Sequence, residues 1–294
     1  IFKLLGDNYF ELGDYKTAEN QYLEIADVES KDLHRDEIYA KIGLCYIKQN
    51  KIELVEALIK VIYEKYIDSY NLNYMLFSYS KTTPDKIKKE YYLNEIVKNS
   101  KSEELINNSL YQLALINFEN KQYHTGISNL KKINSKELEH EKNYLIAAHY
   151  FYLDEYRKSI DFLNKTKPEF VEPDKYYKLM LLNYYNLKQY SNSLQYAGLL
   201  SDKEKQVKIF YTAVSEYYLG DFKNSNKLFE TYINNYPGSD NFFEALYFYG
   251  ISLYKLGDYS KSKLTFLQLE NKKSESKIGY KKYLAYLYLI ENNI

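Results

Sequence analysis

The chain has 294 residues, carries 40 Lys+Arg against 40 Asp+Glu, and is 45% hydrophobic. Balanced charge argues against a nucleic-acid binder, whose affinity comes from neutralising phosphates, and the apolar share excludes wholesale disorder. No apolar run approaches the roughly 18 residues that span a bilayer, and the single cysteine, Cys45, cannot form an intrachain disulfide.

In chain order, the sequence opens at Ile1 rather than Met, already in a helical pattern, and reads as a fragment or processed chain. It reaches a first turn at Leu12-Gly13-Asp14-Tyr15. Similar turns follow at Gln49-Asn50-Lys51-Ile52, Asn120-Lys121-Gln122-Tyr123, Leu153-Asp154-Glu155-Tyr156, Leu187-Lys188-Gln189-Tyr190, Leu219-Gly220-Asp221-Phe222 and Leu256-Gly257-Asp258-Tyr259. With Ile87 as a divergent member, the last turn residue falls at 15, 52, 87, 123, 156, 190, 222 and 259, at intervals of 32 to 37. Such a period is the signature of a helical repeat array. Gly or Asn at the turn suits the left-handed backbone that closes a helix, and Asp or another polar residue caps the next one.

Each unit is patterned around its turn. Nine residues before the turn residue stands a small one (Gly6, Gly43, Ala114, Ala147, Ala213, Gly250), which lets two antiparallel helices approach. Another small residue follows three after it (Ala18, Gly126, Ser159, Ser193, Ser225, Ser262), and a larger one seven after it (Tyr22, Ile59, Leu130, Leu163, Phe229, Phe266). Offsets of three, four and seven mark one helix face. The pattern fails near Ile87, where Ser80-Lys81-Thr82-Thr83-Pro84-Asp85 predicts a longer turn. Thr83 would cap the next helix with Pro84 in its first position, and a local irregularity is expected between Tyr66 and Ser100.

This small, aromatic, small, large-apolar series, with Pro237 fifteen residues after Phe222, resembles the tetratricopeptide repeat. The resemblance implies an all-α fold: a right-handed superhelical solenoid of about eight antiparallel helix pairs plus a terminal helix. Repeats 1 and 2 would occupy residues 1–65, a divergent repeat 66–100, repeats 4 to 8 101–275, and a terminal helix 276–294. Tyr283, Tyr286, Leu287 and Ile290 would form an apolar edge to be covered by a further helix or a partner. Two departures stand out: the family's first-helix Trp is absent, and Ser, a weaker helix former, replaces Ala at several small sites.

The 37 Tyr and 14 Phe are partly the composition of an AT-rich genome, but their placement is ordered. Five residues before the turn residue stand Phe10, Ile47, Phe118, Phe151, Tyr185, Tyr217 and Tyr254; twelve before it stand Tyr111, Tyr144, Phe210 and Tyr247. Offsets that differ by seven share a helix face. The resemblance implies that this face lines a concave groove where a peptide or helix of a partner protein binds. Tyr111, Phe118, Tyr144, Phe151, Tyr185, Phe210, Tyr217, Tyr247 and Tyr254 are its candidate contacts. The competing reading is that the rings pack between adjacent repeats. Two apolar stripes per first helix exceed what one packing interface needs, which favours the groove.

No catalytic or cofactor constellation emerges. His34, His124, His140 and His149 make no metal-spaced pair, the glycines are singletons at helix ends, and the repeated Asp14, Asp221 and Asp258 read as caps. The chain therefore reads as a non-enzyme with no cofactor or metal. The family's Lys-and-Asn carboxylate clamp is missing as well: the corresponding positions hold Lys3 with Asp7, Tyr144 with Ala148, and Lys178 with Leu182. Asn235-Tyr236-Pro237-Gly238-Ser239 resembles the tyrosine-proline-x-serine repeats of bacterial envelope proteins, which implies a periplasmic or envelope-associated scaffold. A self-associating module that forms a homo-oligomer, and a regulatory arm of a larger enzyme, stay open beside it.

Overall fold

The computed structural model describes residues 1–26 and 34–271, together with Lys281, Leu284 and Leu287. Among the described residues the regular structure is sixteen α-helices and two short 3-10 turns, with no strand. The helices run in consecutive pairs, each joined by a turn of two or three residues: α1 (Phe2–Glu11) with α2 (Tyr15–Ala26), α3 (Arg35–Lys48) with α4 (Ile52–Tyr66), α5 (Tyr70–Thr82) with α6 (Lys86–Asn99), α7 (Glu103–Glu119) with α8 (Tyr123–Lys131). There follow α9 (Glu139–Tyr152) with α10 (Tyr156–Leu163), α11 (Pro173–Asn186) with α12 (Tyr190–Leu199), α13 (Lys205–Leu219) with α14 (Phe222–Asn235), and α15 (Phe242–Lys255) with α16 (Tyr259–Asn271). The chain divides into two compact units, Ile1–His149 and Tyr150–Ile294, with the division inside α9. No helix among the described residues is long and apolar enough to cross a membrane.

One backbone device makes seven of the eight turns. Gly13, Gly220 and Gly257 sit at φ between 81° and 89°, and Asn50, Lys121, Asp154 and Lys188 hold the same position at φ between 57° and 59°. The next residue donates its N–H back across the turn: Asp14 to Tyr9 O, Lys51 to Tyr46 O, Gln122 to Asn117 O, Glu155 to Tyr150 O, Gln189 to Tyr184 O, Asp221 to Glu216 O, Asp258 to Leu253 O. This bond satisfies a carbonyl that the helix end would leave bare. Asp14, Asp221 and Asp258 then cap the second helix, accepting from the backbone N–H of Thr17, Asn224 and Lys261.

The eighth turn differs from expectation. Asp85, not Thr83, caps α6, accepting from the N–H groups of Ile87 and Lys88, and Pro84 lies outside the helix. Thr83 ends α5, and its hydroxyl accepts from the Asp85 N–H. The carboxylate reaches two amides where Thr83 reaches one, so the helix starts two residues later than the proline suggests. The irregularity expected between Tyr66 and Ser100 is confined to packing: α5 and α6 are ordinary helices, but α5 lies against α3 rather than α4.

The small residues do what their spacing requires. A Cβ on Gly6 would come within 2.5 Å of the Tyr22 ring, and one on Gly250 within 2.7 Å of Phe266, so each glycine seats the large residue of its own repeat. At the other small position Ser159 and Ser193 accept from Asn183 and Ser215 of the next repeat, while Ser225 Oγ donates to Ala213 O at 2.9 Å and Ser262 Oγ to Gly250 O at 2.8 Å. Serine thus ties the second helix to a first helix, which offsets its weaker helix propensity. Around these contacts run the cores, Tyr22, Ile38, Ile42 and Cys45 at the start of the first unit and Phe210, Phe229, Tyr232 and Phe248 in the second.

Consecutive repeats are also joined by polar bridges about one repeat apart. Buried Glu19 accepts from Lys51 and Gln49, Glu56 from Lys88 and Tyr79, and Glu230 from Lys261 and Tyr249. Each carboxylate lies on a second helix and is met by the next repeat, so the bridge fixes stacking register as well as charge balance. At the far end, Leu284 and Leu287 are helical and buried against Phe266 and Leu269. Leu287 is therefore covered within the chain rather than part of an open edge, while Tyr283, Tyr286 and Ile290 lie outside the described residues.

Candidate partner-binding face

In the second unit, aromatic rings of three successive first helices meet on one face. Tyr185 of α11 lies edge-on to Tyr211 of α13, 5.0 Å between centroids, and to Tyr190 at 6.1 Å. Tyr190 stacks flat on Tyr218 of α13 at 4.4 Å. Tyr218 in turn meets Tyr217 at 5.3 Å and Phe248 of α15 at 5.8 Å. Tyr211 and Tyr218 are seven apart, so the helix period places them on one stripe. Tyr218 is 48% exposed.

Glu244, in the first turn of α15, completes this face. It is half-buried, and burial pushes its pKa above the usual carboxylate value. Its charge is felt by three of the rings: burial first, then Glu244, raises the hydroxyl pKa values of Tyr185, Tyr211 (to about 12) and Tyr218. Among the described residues Glu244 makes no ion pair and no side-chain hydrogen bond.

The first unit presents a different first-helix face. A cleft of about 420 Å³ is lined by Asp7, Phe10 and Glu11 of α1, Lys41 and Leu44 of α3, Tyr74 of α5, and Tyr22. Its charges are internally matched. Asp7 pairs with Lys41 and accepts from the Tyr22 hydroxyl at 2.7 Å, and Lys3 pairs with Glu37 at 2.8 Å. Burial raises the Asp7 pKa, but the bonds from Lys41 and Tyr22 outweigh it and hold the group below its usual value.

The nine aromatic candidates divide between surface and core. Phe210 is 2% exposed and packs on Phe229 and Tyr232, so it belongs to the core and is withdrawn from the face. Its offset of twelve before the turn points it between α13 and α14, inside the ring stripe. Tyr111, Phe118, Tyr144, Phe151, Tyr185, Tyr217, Tyr247 and Tyr254 are half-buried. Phe118 leans on Tyr123 and His149, Phe151 on Tyr156, Tyr247 on Phe266, and Tyr254 on Tyr259, so part of each ring is engaged in packing. Tyr185, Tyr217 and Tyr247 are half-buried and packed against the core of the second unit. Sequence reasoning missed Tyr211, Tyr218 and Glu244. The first two stand eleven and four before Phe222, one residue along from the stripe chosen, and their own spacing of seven is the signal that was available.

No group of three His, Cys, Asp or Glu that could hold a metal ion occurs among the described residues. Cys45 is buried and its thiol pKa is pushed up to about 12, the state of a packing residue.

Residues 209–239, covering α14 and most of α13, match the family model of the tetratricopeptide repeat. The chain has the fold of a tetratricopeptide-repeat array. A search of curated protein sequences finds no match. Among solved structures, this chain is similar to the apo form of RapI, at 13% identity and a TM-score of 0.58 over 84% of this chain and 79% of that one. It is similar to the Naa15/Naa10 complex bound to HypK-THB, at 13% identity and a TM-score of 0.55 over 94% of this chain and 42% of that one. The Cut9-Hcn1 hetero-tetramer of the APC/C is matched at 7% identity and a TM-score of 0.50, over 93% and 52%. At such identities the likeness is one of fold. The chain spans about half the length of the last two.

Proposed function

We propose that the chain is a non-catalytic scaffold that holds a peptide or helix of a partner protein on the first-helix face, principally the tyrosine face of the second unit. The observation that carries this reading is the row of rings contributed by three consecutive first helices. A core needs rings enclosed on all sides, whereas Tyr218 keeps about half its surface in water while stacked on Tyr190. Tyrosine suits such a surface because it offers rigid apolar area and a polar tip. Two of the structures of similar fold, Naa15/Naa10 bound to HypK-THB and Cut9-Hcn1, are protein complexes, which supports the class of function. The tyrosine-proline-x-serine string at 236–239 supports a bacterial envelope assembly as the setting.

The test is site-specific photo-crosslinking in cells. A crosslinker in place of Tyr218 or Tyr74 should capture a defined partner, while one in place of Lys227 on α14 should not. Equal capture from all three positions, or capture from Lys227 alone, would sink the reading.

A further inference from the structure

We propose that Tyr185, Tyr211, Tyr218 and Glu244 form a seat for a cationic side chain, the arginine or lysine of a basic segment in the partner protein. The proposal rests on the scaffold reading above and specifies the chemistry of what that face holds.

The case begins with the carboxylates that reach the following repeat. Glu19, Glu56 and Glu230 each accept from a lysine and a second donor of the following repeat. Glu204, in the same unit, pairs with Lys178 at 3.0 Å. Glu244 is half-buried, burial raises its pKa, and it has no cation or hydrogen-bond donor among the described residues. Taking a carboxylate out of water without a partner is unfavourable. Its place in the first turn of α15 offsets part of that cost through the helix dipole but supplies no counter-charge. Its neighbours add none. Glu244 stands one helical turn before Phe248, which meets Tyr218 at 5.8 Å; its charge reaches Tyr185, Tyr211 and Tyr218, and Glu216 of α13, near Asp221, is a further half-buried carboxylate whose pKa burial raises.

The tyrosines explain what is missing. The face of an aromatic ring is electron-rich and attracts a cation, most strongly where water is excluded. Three such rings from α11 and α13, next to an uncompensated carboxylate on α15, supply both attractions that hold a guanidinium or an ammonium. An arginine can also stack flat on a ring while its edge bonds the carboxylate. An acidic segment would be repelled here, and a purely apolar one would leave Glu244 buried and unpaired.

Fluorescence anisotropy with labelled octapeptides tests this: alternating Ala-Arg, Ala-Lys and Ala-Glu, titrated with the full chain at about 0.15 M salt, where long-range attraction is largely screened. The two basic peptides should bind and the acidic one should not. Glu244→Gln, which keeps the side-chain shape, should weaken binding by about tenfold or more. Tyr218→Leu should weaken it too, and Glu137→Gln, at an exposed carboxylate of the first unit, should leave it unchanged; circular dichroism confirms that each variant is folded. Failure of both basic peptides to bind, preference for the acidic peptide, or equal losses in Glu244→Gln and Glu137→Gln would each overturn the cation seat. If the seat fails while crosslinking from Tyr218 still captures a partner, the scaffold reading stands and only its chemistry is wrong.

Discussion

Lys121 and Lys188 hold a backbone conformation in which side chains with a Cβ are disfavoured, at φ 58° and 59°. The position is imposed by the turn, since Gly13, Gly220 and Gly257 occupy it elsewhere at no such cost. Lys188→Gly should therefore stabilise the fold, by up to about 1 kcal/mol once glycine's larger unfolded-state entropy is set against the relieved strain. Urea titration reads this as a higher midpoint with an unchanged slope. A second residue carries a pH dependence. His149 is fully buried, neither ring nitrogen has a hydrogen-bond partner, and it packs on Phe118, Tyr123 and Gly126. Burial lowers its pKa from 6.5 to about 4, while the Ala114 backbone opposes this without making a bond of normal geometry. The unfolded chain then binds a proton between these values and the folded chain does not. Stability is complete above about pH 6.5 and falls as pH drops towards 4, by about 3 kcal/mol in all. His149→Leu should flatten that part of the pH profile and leave the acid loss below pH 4, which comes from paired carboxylates such as Asp7 and Glu56, in place. An unchanged slope between pH 6.5 and 4 would show that His149 is solvated.

At the scale of helices, the sequence was most legible where a local rule had a single physical solution. Leu-Gly-Asp-aromatic predicts a left-handed residue followed by a capping carboxylate, and all three copies fold that way. The small-to-large spacing likewise predicts Gly6 against Tyr22 and Gly250 against Phe266. Gly250→Ala should cost about 1–3 kcal/mol by overpacking, and Phe266→Leu in the same chain should recover part of it; additive losses in a thermal melt would refute the contact. Sequence reasoning was weakest where alternatives differ by a fraction of a helix turn. Whether a ring faces the neighbouring helix or water depends on its angle to within about 100°, one residue step. That is why Phe210 proved to be fully core while Tyr211, beside it, is half-buried and meets Tyr185 edge-on. Glu244 was invisible for another reason: a carboxylate is notable only when its partners are missing, and partners come from repeats about 30 residues away.

Within each unit, among the described residues, neighbours carry the packing. Helices touch within their own repeat or the next one: α1 with α2, α2 with α3, α12 with α13, α14 with α15. A stack of this kind has a stability close to the sum of its repeats and their interfaces. The bridges from Glu19, Glu56 and Glu230 lie at those interfaces, so they set how strongly one repeat's fate is tied to the next.

That arrangement gives the chain a particular response to mechanical load. A unit whose described residues are held by contacts between neighbouring repeats offers little clasp against a pull along its length, and tension should peel each unit repeat by repeat at low force. In an optical trap the extension should grow in steps of about 120 Å, the contour of one repeat at roughly 3.6 Å per residue. One large cooperative rip would mean that the repeats are clamped together well beyond their neighbours. If the steps appear, a bound partner that bridges α11, α13 and α15 would act as a splint, merging several steps into one.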